Sequence, residues 1–210
     1  MLLFSRFRAW LSPVDAPRRA DLIFVLAGRV HRKEYALELL RQGLAPGILF
    51  SVSRFEIRRF SQMALPVPLD LLKLAQELPP PQRHYFVFFE GQKVQVVHVP
   101  PGRFGTLTEI VALARWLAEN PDIRSIIAVS SPTHLRRIRM CCRSLLNATT
   151  KVALVAAPVS LSPSEQPAAA TTEQQRENLR PDESSGFTSA MDDLSELFKL
   201  AIYWVLLKIR

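Results

Sequence analysis

The sequence predicts an α/β fold: a three-layer, Rossmann-like domain with a mostly parallel sheet of about five strands and helices on both faces. Two observations carry this expectation. Apolar runs of strand length alternate with helical patterns along most of the chain, and such alternation implies right-handed βαβ units. Four of the runs are apolar throughout instead of alternating with polar residues, which marks strands covered on both faces. The 210 residues, 48% of them apolar, are enough for one full-size domain with its own core.

The elements follow in order. "DLIFVLA" (21–27) is a continuous apolar strand, and "RKEYALELLRQG" (32–43) is a helix ended by Gly43. "GILFSV" (47–52) is a second buried strand. Residues 54–78 read as helix in two pieces, interrupted by "LPVP". After "PPP" come "HYFVFFE" and "KVQVVHV", separated by "GQ", either as a hairpin or as one decorating strand beside one sheet strand. "TLTEIVALARWLAEN" (106–120) is a helix, "RSIIAVS" a strand, "THLRRIRMCCRSLL" a helix and "KVALVAAP" (151–158) a last strand. The strands beginning near 21, 47, 94, 125 and 151 are expected to run parallel in one sheet. Residues 1–18 form a basic N-terminal segment ahead of the α/β domain at 19–158. Residues 159–187 are polar and rich in Pro, Ser and Glu, which predicts a mobile loop. The pattern at 188–210 places Met191, Leu194, Leu197, Phe198, Ile202 and Val205 near one helix face, so this helix is expected to pack back on the sheet.

Composition narrows the function classes. The formal charge is +8, and only six of the 27 basic residues are lysine. Arginine grips phosphate and carboxylate bidentately, so this excess favours anionic partners. No nucleic-acid recognition motif accompanies the charge, which puts nucleic acid last among them. An anionic membrane surface is a further candidate, through Arg6, Arg8, Arg18, Arg19 and the C-terminal helix. The start "MLLFSRFRAWLSPVD" has too short an apolar run for a signal peptide, and the apolar "LFKLAIYWVLLKI" falls short of the ~20 residues a bilayer requires. The adjacent Cys141 and Cys142 provide neither a disulfide between elements nor a metal-ligand spacing, and are expected to pack in the core. There is no Walker sequence, no G-x-S-x-G elbow and no His/Cys ligand cluster, so no metal or other cofactor is assigned.

In doubly wound sheets ligands bind beyond the carboxyl ends of the strands. Three such ends carry unusual chemistry here: "AGRVHR", "PPGRFGT" and "SSPTHLRR". In the last, Ser131 is a good N-cap and Pro132 suits the first helical position. His134 and Arg137 then share one face of the first turns, beside free N–H groups at a positive helix end, which makes an anion site. The plainer alternative is a packed or capping His134 and a solvated arginine face. In "GTLTE", Thr106 and Glu109 have the spacing of a capping box, which is the leading structural explanation. Gly102 and Gly105 would also let backbone approach a ligand, and Arg103 can reach a phosphate. One glycine after the first strand is too few for a dinucleotide fingerprint. An exposed Arg137 would contribute to ligand affinity and little to stability.

The ordered set of "ADLIFVLAG", "RKEYALELLRQGLAPGILFS", "GTLTE" and "VSSPTHLRR", followed by "SELFKLAIYW", resembles the YdcF/SanA/ElyC-like family of bacterial α/β proteins, a domain of unknown function. The resemblance covers residues 20–158 and the closing helix. It implies a site of Gly28, Arg32, Ser51, Thr106, Glu109, Ser131, His134 and Arg137, and a link to the bacterial cell envelope. The expected function is binding of a small phosphorylated or nucleotide-like ligand at the carboxyl ends of the strands. His134 and Glu109 are the catalytic candidates if a reaction follows, with Gly28, Arg32, Ser51, Arg103, Thr106, Ser131 and Arg137 on the ligand. The family's extra glycines after the first and second strands are replaced here by "AGR" and "SVSRF". The competing reading is therefore a non-catalytic α/β domain with a structural or regulatory role, in which Arg29 or Arg54 fills the pocket.

Residues 159–187 cannot bury enough apolar surface to offset the entropy of ordering them. Limited proteolysis is expected to cut first inside this tract, and first cuts within 19–158 would contradict that.

Overall fold

The computed structural model describes residues 14–102 and 105–158, together with Lys199, Ile202, Tyr203 and Lys208. The chain forms two compact units, residues 1–158 and 159–210. Arg6, Arg8, Arg103 and the polar tract 159–187 lie outside the described residues, as does most of the expected C-terminal helix, of which Lys199, Ile202, Tyr203 and Lys208 are helical.

The first unit is built on a six-stranded sheet with helices on both sides. In chain order the elements are β1 (Leu22–Val25), α1 (Val30–Arg41), β2 (Gly47–Ser53), the short helices α2 (Ile57–Phe60) and α3 (Leu71–Gln76), β3 (His84–Glu90), β4 (Lys93–His98), α4 (Gly105–Glu119), β5 (Ser125–Ser130), α5 (Leu135–Leu145) and β6 (Lys151–Ala156). The spatial order is β4-β3-β2-β1-β5-β6. β2, β1, β5 and β6 are parallel neighbours, whereas β3 is antiparallel to both β2 and β4. The strands near 21, 47, 94, 125 and 151 therefore all point the same way, and the added sixth strand, β3, is the one reversed. "HYFVFFE" and "KVQVVHV" form a hairpin, made possible by Gly91, whose φ of 55° few residues with a side chain adopt.

Alternation along the strands sorts side chains into two layers. Ile23, Val25, Ile48, Phe50, Ile127 and Val129 pack with Ala36, Leu37 and Leu39 of α1 and with Ile57 and Phe60 of α2. The intervening residues face the other layer, where Phe24 meets Phe86 edge-on at 5.6 Å and Phe88 packs on Trp116 of α4 at 5.2 Å. On α5, Leu135, Ile138, Cys141 and Cys142 are buried. Both thiols are free, and burial pushes each up to about 12, so they behave as small apolar groups.

The amino end of the parallel sheet is pinned by Asp21. Its Oδ2 accepts from the N–H of Arg124 at 2.9 Å and from the N–H and hydroxyl of Ser125 at 2.8 and 2.7 Å, and the Ser125 hydroxyl holds the carboxyl below its usual range. At the β6 edge, Asp15 takes the place of a further strand. Its N–H donates to Leu154 O at 2.7 Å, and its carboxylate accepts from Leu154 N–H and from Arg139. The carboxyl end is organised differently. The chain leaves β1 toward β2 on one side and leaves β5 toward β6 on the other. That divergence makes the β1/β5 boundary the topological switch point of the sheet, where ligands of such folds bind.

Phe50 is fully buried at the centre of one layer, edge-on to Phe60 at 5.3 Å and to Phe89 at 6.1 Å. Truncation there leaves a cavity between sheet and helices that neither side can close. Phe50→Ala is expected to lower stability by about 3–5 kcal/mol, read as a lower denaturant midpoint with an unchanged m-value.

Candidate functional site

Eight polar or charged residues are buried among the described residues: Arg32, Lys33, Ser51, Glu56, Thr106, Glu109, Ser130 and Arg137. Every one lies at the carboxyl end of the sheet. Arg32 and Lys33 begin α1, Ser51 closes on the end of β2, and Glu56 follows it. Thr106 and Glu109 begin α4, Ser130 ends β5 and Arg137 is in the first turn of α5.

β1 ends where two carboxylates reach it. Ala27 N–H donates to Glu109 Oε1 at 2.7 Å, and Gly28 N–H donates to Glu56 Oε1 at 2.7 Å. Gly28 has φ 142°, and a Cβ there would lie 2.5 Å from Nη1 of Arg32. The positive φ favours glycine, and any side chain there would also displace the Arg32 guanidinium. The Arg32 side chain folds back over it, donating from Nη1 to Ala27 O at 2.9 Å and from Nε to Ser131 Oγ at 2.9 Å. Burial lowers the Arg32 pKa most, opposed by the nearby Glu109 and Glu56 and reinforced by Arg29 and Arg137. Arg137 donates from Nε to Thr106 Oγ1 at 3.2 Å, joining α5 to α4.

Behind these groups runs a second layer. Lys33 Nζ is ion-paired with Glu56 Oε2, and Ser53 Oγ donates to Glu56 Oε1 at 2.7 Å. Burial lowers the Lys33 pKa, with Glu56 opposing. Glu109 is fully enclosed and burial raises its pKa, while hydrogen bonds from Ser51 and the Ala27 N–H work against that rise. Ser51 Oγ also lies 2.7 Å from His84 Nε2, so Glu109, Ser51 and His84 form a continuous hydrogen-bonded chain. Antiparallel pairing supplies His84: it starts β3 opposite Ser53, at the end of β2.

Of the residues expected from sequence, Gly28, Arg32, Ser51, Thr106, Glu109, Ser131 and Arg137 are brought together; Arg103 lies outside the described residues. His134 is half-buried in a 3-10 turn, Pro132–His134, with its N–H on Ser131 O at 3.0 Å. Three local expectations are corrected. Ser131 makes no side-chain cap, because its hydroxyl accepts from Arg32 instead, and α5 starts at Leu135 after the 3-10 turn. Thr106 and Glu109 do not form a capping box, since one accepts from Arg137 and the other from Ala27. Arg137 is buried rather than exposed. Neither Arg29 nor Arg54 fills the site; both are exposed, and Arg32 is the guanidinium lying over the β1 loop. Sequence reasoning missed Glu56, Lys33 and His84. A signal existed for the first, because Ser53 and Glu56 have the Ser-x-x-Glu spacing at a strand's carboxyl end.

Chemically, two arginines from separate helices can neutralise negative charge, and an enclosed carboxyl with a raised pKa can give or take a proton. Among the described residues no group of three or more His, Cys, Asp or Glu is placed to hold a metal ion. No family model, curated protein or solved structure matches this chain.

His84 offers a direct reading of this environment. Burial first, then Lys33 and His98, lowers its pKa from 6.5 to about 4. Between those values the unfolded chain binds a proton that the folded protein rejects, so the His84 contribution to stability falls as pH drops through this window. Denaturant midpoints of the parent and of His84→Asn are expected to converge as the pH falls from about 6.5 to about 4. Curves that stay parallel across the window would contradict a neutral His84.

Proposed function

We propose that the carboxyl-end cluster binds a small anionic ligand bearing a phosphate or nucleotide-like group. The observation that carries this reading is the concentration of every buried polar residue described at one end of the sheet. Within it, three cations (Arg32, Lys33 and Arg137) stand against two carboxylates (Glu56 and Glu109). Burying charge is unfavourable, and a fold of this kind gains its stability from the apolar layers without it. Perturbed ionisable groups gathered at a topological switch point are what ligand and catalytic sites require. The excess cation favours an anion, and a proton held on Glu109 would increase that excess. Arg32 and Arg137 are the proposed ligand clamps, oriented by Ser131 and Thr106, while Ser51 orients Glu109. Glu109 and His134 are the proposed acid–base groups. Because Glu56 accepts its N–H, the proposed part of Gly28 is to admit Arg32.

The motif order that resembles the YdcF/SanA/ElyC-like family supports the same assignment, and with it a role in the bacterial envelope. A second reading, a non-catalytic domain with a closed site, is favoured by one observation. The Ala27 and Gly28 N–H groups, which would meet a phosphate in an open loop, are already accepted by Glu109 and Glu56.

Thermal-shift and calorimetric titration with inorganic phosphate, pyrophosphate and nucleoside mono- and diphosphates separates the two. A phosphorylated compound is expected to raise the parent's unfolding midpoint as its concentration passes Kd. Arg137→Ala is expected to weaken that ligand about ten- to a hundredfold and, because the residue is buried, to lower stability by about 1.5–3 kcal/mol. Glu109→Gln removes negative charge at constant shape and is expected to tighten it. A parent that responds to none of these compounds would favour the closed domain.

A further inference from the structure

Immediately beyond β2 the chain presents a surface of different character. Phe55 is 79% exposed, more than the other large hydrophobic residues on the described surface, Val14 at 54% and Leu72 at 41%. Arg54, Arg58 and Arg59 surround it in sequence, all exposed. The Arg54 guanidinium sits 4.4 Å from the centre of the Phe55 ring. The one acid in this stretch, Glu56, is turned inward onto Lys33, Ser53 and Gly28, so residues 54–63 show solvent no negative side chain. The Glu56–Gly28 bond also holds the β1 loop alongside, and that loop adds the exposed Arg29.

The patch is fixed in place. Ile57 and Phe60 are buried in the core, so the four-residue α2 cannot swing its arginines inward. Beside it, a groove of about 520 Å³ between α1 and the α2 segment is lined by Val30, Leu37 and Met63, with Arg41, Arg59 and the exposed Glu34 among its walls.

We propose that this surface docks on an anionic lipid bilayer, with Phe55 entering the headgroup–acyl boundary and Arg29, Arg54, Arg58 and Arg59 on lipid phosphates. An exposed ring in a segment with three exposed arginines suits both halves of that boundary: the ring leaves water, and the guanidiniums stay among anions. Arg54 covers one face of the ring, and the rest of the ring is open to a partner. The docking stands independently of the proposed anionic ligand, since none of its arginines belongs to the buried cluster.

The test uses the full chain and sedimentation with phosphatidylcholine vesicles, with and without phosphatidylglycerol, at low and high salt. The parent is expected to bind only the anionic vesicles and to be released by salt. Arg54→Ala/Arg58→Ala/Arg59→Ala is expected to lower partitioning roughly a hundredfold, at about fivefold per arginine, and Phe55→Ala about tenfold. Unfolding midpoints should stay near the parent's, because these side chains are exposed. In Phe55→Trp, emission should shift to the blue on adding anionic vesicles by more than the parent's own tryptophans do. Equal binding by parent and variants, or no binding by the parent, overturns the proposal. Capture of a single-stranded oligonucleotide that the variants lose, without vesicle binding, also overturns it and assigns the surface to nucleic acid.

Discussion

Two consecutive backbone N–H groups at the end of β1, those of Ala27 and Gly28, each donate to a buried carboxylate, and the carboxyl end of the domain is organised around that pair of bonds. Glu109 arrives from α4 and Glu56 from the segment after β2, so the bonds tie two separate stretches of chain to one turn. A charged acceptor makes such a bond stronger than an amide–carbonyl one, and it also demands that the charge be answered. Lys33 answers Glu56 directly. Arg32 lies over the turn itself, and only a glycine at position 28 leaves it room. Arg32 then reaches Ser131, joining the loops that follow β1 and β5. The cluster is therefore a consequence of burying two carboxylates at one turn, as well as the proposed place for a ligand.

That origin explains which parts of the site were legible. The strand–helix alternation, the apolar runs and the hairpin turn are local properties, and the sheet they build is the expected one with β3 added. Thr106, Glu109, Ser131 and Arg137 were visible because each stands at the start of a helix after a strand. Their bonding was not visible, because short-range spacing suggested capping while the actual partners are distant in sequence. Ser131 serves Arg32 across 99 positions, and Ala27 and Glu109 are 82 apart. Lys33 looked like one more polar residue of an amphipathic helix, and its burial follows only from Glu56 being placed beneath it. His84 looked like the polar start of an edge hairpin until antiparallel register set it against the end of β2.

The same two carboxylates divide the protein's charge between inside and outside. If Glu56 faced solvent, the segment 54–63 would carry a mixed, ordinary surface. Its inward turn pairs it with Lys33 and leaves Arg54, Arg58 and Arg59 with no exposed acid in their own segment, which also carries the exposed Phe55. One rotation of one side chain thus connects the electrostatics of the buried cluster to the bias of the surface beside it. It does so without requiring that the two take the same partner.

Desolvation is the largest influence on Arg32, Lys33, His84 and Glu109 alike, and in each it favours the neutral form. A cluster in this condition has its protonation states unusually responsive to an added charge. An anion placed between Arg32 and Arg137 would offset the desolvation that lowers the pKa values of Arg32 and Lys33. It would also raise the Glu109 pKa further and draw a proton onto that carboxyl. Proton uptake and anion binding are then two sides of one equilibrium, and a chain of hydrogen bonds through Ser51 to the half-buried His84 already leads away from Glu109. A carboxyl that gains its proton when an anion arrives is set to act as a general acid on that anion. The feature that makes the cluster costly to bury is therefore the one that would give it chemistry.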